Sequence, residues 1–167
     1  SAEKPLPKPD KLSESPMLAD QVKAGKLPPL EERIPENPYV VPHRWLEEGK
    51  YGGTLQMVAD AADQANIKEL MYGHSPLRWL NDGLTVGPGL VESWESDPEA
   101  KVWTFHFRKG LRWSDGHPWS TEDIMFWWED LILNEDYTDV APDECKSGTG
   151  SLATFEAPDE TTLIMKF

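Results

Sequence analysis

The amino-acid sequence predicts an α+β fold, because an aromatic-faced strand, two glycine turns and a capped, tryptophan-rich helix follow one another without interruption. Over Lys101–Arg108, Trp103, Phe105 and Phe107 alternate with Val102, Thr104, His106 and Arg108, the period of a strand with one buried face. Over 121 to 133, Ile124, Trp127, Trp128, Leu131 and Ile132 fall at i, i+3, i+4, i+7 and i+8, opposite Glu129 and Asp130. Such a helix packs its stripe on a sheet. With 167 residues, 38% hydrophobic residues and eight Trp, the chain is long and apolar enough to bury a core.

Charge and cysteine usage exclude several classes of function. The net charge of −14 repels nucleic-acid backbones and anionic membrane surfaces, so nucleic acid is not expected as a partner. One cysteine, Cys145, allows no internal disulfide and no cysteine-based metal site. No run of about 18 apolar residues is present. The start at Ser1-Ala2 fits a matured or recombinant chain whose signal or anchor segment has been removed.

Residues 1 to 50 are rich in proline, from Pro5 to Pro42, and form an arm that must lie on something else to be stable. One short helix is expected there: Ser15 caps it, Pro16 suits its first turn, and Gly25 with Pro28-Pro29 ends it. From Tyr51-Gly52-Gly53 a globular unit begins with a strand over Thr54–Val58. Ile67–Tyr72 reads as a short helix, and Pro76–Leu80 as an extended piece ending at the Asn81-Asp82-Gly83 turn.

After the 101 to 108 strand, Lys109-Gly110 turns the chain, Leu111–Trp113 returns, and Ser114-Asp115-Gly116-His117-Pro118 turns it again. Ser120 then caps the helix, with Glu122 and Asp123 in its first turn, where the helix dipole favours negative charge. Residues 134 to 151 read as a polar loop. Leu152–Phe155, a turn at 157 to 160, and Thr161–Phe167 read as a hairpin that pairs with the 101 to 108 strand. Ending inside an apolar strand is read as the edge of a fragment.

Pro88-Gly89-Leu90-Val91-Glu92-Ser93-Trp94-Glu95, then Val102 through Pro118, then Ser120–Ile124, with a counterpart at Gly52-Gly53-Thr54-Leu55, resemble the family 5 solute-binding proteins. These are the oligopeptide-, dipeptide- and nickel-binding components of ABC importers. The resemblance implies an α/β fold of the periplasmic-binding-protein class II type, here the N-terminal part of lobe one with the small accessory domain. It divides the chain into an arm (1–50) and a partial solute-binding domain (51–167). It further implies a monomer outside the cytoplasmic membrane, lipid-anchored or in the periplasm, that needs no cofactor, captures a peptide or similar solute and delivers it to ABC permease subunits. Ligand contacts in the family come from cleft loops, and the segment after the first strand holds that place, which makes Asp60, Asp63, Gln64 and Asn66 the candidate ligand-binding residues. That segment departs from the family's common Leu-Asp-Pro element.

Two other classes compete. An enzyme would need acid/base pairs among Glu92, Glu95, His106, Asp115, His117 and Glu122, but nothing in the sequence fixes two of them on one face with catalytic spacing, and Asp115-Gly116 is turn chemistry. His43, His74, His106 and His117 lack the spacing of converging metal ligands. A Trp-rich carbohydrate-binding module needs exposed aromatic platforms, whereas Trp103, Trp127 and Trp128 fall on expected buried faces, with Trp127 or Trp128 the anchor of the helix.

Overall fold

A computed structural model of the chain describes residues 4–42, 49–54, 56, 75–80 and 83–167. The expected strand over 54–58 lies outside the described residues except for Thr54 and Gln56, and the expected helix over 67–72 lies outside them entirely.

The centre is a four-stranded antiparallel sheet in the order β3-β4-β6-β5, built from β3 (Val91–Ser96), β4 (Val102–Phe107), β5 (Thr154–Asp159) and β6 (Thr162–Lys166). A two-stranded hairpin, β1 (Leu77–Trp79) and β2 (Val86–Pro88), precedes it. The aromatic strand, β4, is central. Phe105 sits opposite Trp94 on one side and Leu163 on the other, and Phe107 sits opposite Val91. Cross-strand apolar neighbours of this kind supply most of a sheet's side-chain stabilisation.

The helix begins where the sequence places it. Ser120 and Asp123 form a reciprocal capping box, Ser120 accepting from the first-turn amides while the Asp123 carboxylate accepts from Ser120 N at 2.9 Å. The α-helix α3 (Thr121–Phe126) then widens into a π-helical segment over Trp127–Ile132. Trp128 is buried and stacks on Phe155 at 4.3 Å and 25°, while Trp127 meets Phe155 edge-on. Val91, Phe107, Cys145, Ala153 and Leu163 complete the buried core, with Trp119 against Phe107 at 4.6 Å.

Four expectations need correction. The aromatic face of β4 is fully buried only at Phe107, while Trp103 and Phe105 stack on each other and stay half-buried. Arg108, expected on the outer face, is buried, because β4 ends at Phe107 and the alternation no longer governs the next residue. The terminal hairpin turns at 159–162 rather than 157–160, through a register shift between Glu156 and Asp159. The loop over 134–151 contains a 3₁₀ turn, Asp143–Cys145, which buries Cys145.

The arm carries α1 (Pro16–Lys23), with Ser15 as its cap, Pro16 in its first turn and Gly25 in the left-handed region at φ 67°, and α2 (Leu30–Arg33). It closes on itself. Leu6 N donates to Val40 O at 2.9 Å, Lys8 Nζ to Glu36 O at 2.8 Å, and Arg33 pairs with Glu14.

Candidate functional site

The expected ligand contacts Asp60, Asp63, Gln64 and Asn66 lie outside the described residues, as do His43 and His74. Among the described residues one concavity is a groove of about 530 Å³ between the arm and the β1–β2 hairpin. Pro35, Pro38, Tyr39 and Val41 form one wall, and Ser75, Arg78, Trp79, Gly89, Leu90, Arg108 and Leu111 the other. Its volume falls in the range of small-molecule sites, and its lining is mainly apolar with few polar groups.

Each polar group has an identifiable local cause. Arg78, on β1, lays its guanidinium 4.8 Å from the centre of the Tyr39 ring, a cation–π contact that keeps the charge while shielding one face. Arg108 donates Nε–H to Gly89 O at 2.9 Å and Nη2–H to Val91 O at 3.1 Å, and its other amino group donates to Asn37 O. Burial lowers the Arg108 pKa from its ordinary value, and the nearby Glu92 carboxylate opposes that shift. Gly89 is sterically required, since a Cβ there would lie 2.3 Å from Ser75 O. Trp79 exposes 67% of its surface beside the groove.

Of the acid/base candidates the structure brings one pair together, His106 and Glu95, on the outer face of the sheet. Asp115 Oδ1 accepts from His117 N at 2.9 Å within the turn, and Gly116 takes φ 92° there, so the carboxylate shapes the chain. His106 faces Glu95 at 3.9 Å across the β3–β4 pair, on the outer face, with 42% of its side chain exposed. Burial raises the Cys145 pKa, with the neighbouring Glu144 charge acting the same way, so the thiol form is favoured over the thiolate. Among the described residues no group of three His, Cys, Asp or Glu side chains is placed to hold a metal.

The alternation pattern missed both Arg78 and Arg108. Arg78 sits in a three-residue strand too short to show a period, and Arg108 lies one residue past the end of β4. The available signal for Arg108 was an arginine immediately before the Lys109-Gly110 turn, where a side chain can fold back on neighbouring carbonyls.

Residues 85–167 match the family described as Bacterial extracellular solute-binding proteins, family 5 Middle. The periplasmic alpha-galactoside-binding protein of Rhizobium meliloti (strain 1021) is 30% identical over 132 residues, covering 68% of this chain and 19% of that protein. The periplasmic oligopeptide-binding protein OppA of Escherichia coli (strain K12) is 50% identical over 59 residues, covering 31% of this chain and 11% of that protein. A solved oligopeptide-binding protein OppA has a TM-score of 0.81 at 39% identity, over 94% of this chain and 24% of that one. This chain therefore spans 24% or less of the length of each of these three proteins. The strand-turn-strand-helix block that carried the resemblance in the sequence lies inside the matched segment and folds as the structural relative does. Through residues 85–167 the chain belongs to the bacterial extracellular solute-binding proteins of family 5.

Proposed function

We propose that this chain serves as part of a solute receptor that captures a peptide or similar small molecule outside the cytoplasmic membrane and presents it to ABC permease subunits. The observation that carries this reading is the match to OppA over 94% of the chain at a TM-score of 0.81. The relatives include an oligopeptide-binding and an alpha-galactoside-binding protein, so the fold accommodates more than one solute chemistry.

In this reading the work is binding, with no covalent step. Solute is enclosed between two lobes, and closure supplies both walls of the pocket. Residues 1–50 act as an arm and 51–167 as one part of the solute-binding domain, with Asp60, Asp63, Gln64 and Asn66 hydrogen-bonding the solute from the cleft loop. The receptor works as a monomer, held outside the membrane by a lipid anchor or free in the periplasm. Among the described residues no helix is long and apolar enough to cross a membrane.

Thermal unfolding of the protein at the relatives' full length tests the proposal. A mixture of di- to hexapeptides, or failing that an α-galactoside, raises Tm in a concentration-dependent way, because a ligand that binds only the folded state stabilises it by mass action. Asp63→Ala and Asn66→Ala reduce that rise. No shift with either class of solute would contradict the proposal.

A further inference from the structure

We infer that Arg108 is a clasp that docks a self-closed N-terminal arm onto the sheet, so that losing the clasp frees the arm as a unit and leaves the sheet folded. The arm has its own internal closures at Leu6–Val40, Lys8–Glu36 and Glu14–Arg33, none of which involves the sheet. Among the described residues it hydrogen-bonds the end of β4 through Arg108 and Lys109, with the Tyr39–Arg78 contact to the hairpin beside them.

The Arg108 side chain gathers carbonyls from two places. Gly89 O and Val91 O come from the entry to β3, and Asn37 O comes from the returning limb of the arm. The backbone of Arg108 is fixed independently, since its N–H donates to Leu90 O at 3.0 Å. Only a planar guanidinium offers donors in enough fixed directions to serve all three carbonyls at once. One residue on, Lys109 O accepts from Glu36 N at 3.0 Å.

Gly110 forms the turn that the arm crosses. It takes φ 79°, and a Cβ built on it would sit 3.6 Å from both Glu36 N and Pro35 Cα, so the arm crosses directly over this turn. Pro35 and Pro38 flank the docked carbonyl and stiffen the limb. Because Tyr39 follows at once, the clasp also sets the wall of the groove opposite Arg78 and Trp79. The inference stands whatever solute the protein binds.

Hydrogen exchange of the 167-residue chain, residue by residue, is the test. In Arg108→Lys, which keeps the charge but loses the fork, exchange at Glu36, whose N–H donates to Lys109 O, rises by at least about tenfold, while Leu6, inside the arm, and the amides of 102–106 and 162–166 keep their wild-type rates. Arg108→Met behaves likewise or more strongly; should it fail to fold, the lysine variant decides. Unchanged exchange at Glu36 would overturn the inference. So would a parallel rise in arm and sheet, which would make Arg108 part of one common core.

Discussion

Trp128 and Asp159 show how differently single side chains contribute here. Trp128 is 4% exposed and stacked on Phe155, so Trp128→Ala leaves a large cavity against β5 and is expected to cost about 3–5 kcal/mol. Trp127, half-buried and edge-on, costs clearly less on the same change, and urea unfolding of both variants checks the order. Equal losses would mean that the helix is seated differently. Asp159 is an exposed turn residue whose carboxylate accepts from Thr161 N at 2.8 Å and from Thr161 Oγ1 at 3.0 Å. These bonds, led by the backbone amide of Thr161, hold its pKa below the ordinary aspartate value. A depressed carboxyl contributes stability that is fully present above the unfolded-state pKa and is lost as pH falls through the folded one. Titration by NMR should therefore place Asp159 below the ordinary aspartate value, and Thr161→Val should move it part of the way back. An ordinary value in the parent protein would contradict the hydrogen bonding described.

At the scale of elements, the parts that were legible are those where period and capping coincide. Ser120 with Asp123 marks the helix start from sequence, and the structure closes the capping box there. Ser120→Ala is expected to cost about 0.5–2 kcal/mol, with Ser120→Gly only a few tenths, as differential denaturation can measure. Equal effects of the two changes would argue that Ser120 does not act as a cap. The strand β3 escaped notice for a physical reason. Its two inward residues, Val91 and Trp94, are three apart because the register shifts between Val91 and Ser93, whereas their partners Phe107 and Phe105 are two apart. A bulge of this kind hides the alternation that identifies a strand. The same device moved the terminal turn, where Glu156 and Asp159 face Ile164 and Thr162. The π-helical segment was not legible either, since its apolar residues fit an α-helical stripe equally well. Of the candidate site, the expected ligand contacts Asp60, Asp63, Gln64 and Asn66 lie outside the described residues, and the Tyr39–Arg78 contact joins positions that no local pattern connects.

On the scale of the whole molecule, a strongly acidic chain carries a compact sheet-and-helix core, an arm clasped to it, and a groove between the arm and the β1–β2 hairpin. The core residues within the matched segment, among them Phe105, Phe107, Trp119, Ile124 and Trp128, are occupied with packing and do not line the groove. Binding by such a receptor requires both walls of a pocket, because the entropic cost of capture stays fixed while the contacts shrink when one wall is missing. Calorimetric titration with a peptide mixture, run side by side on residues 1–167 and on the protein at the relatives' full length, tests this most directly. The account predicts saturable binding by the longer protein and no measurable heat of binding for residues 1–167. Micromolar binding to residues 1–167, abolished by Asp63→Ala or Asn66→Ala, would contradict it and make this chain a self-sufficient binding module.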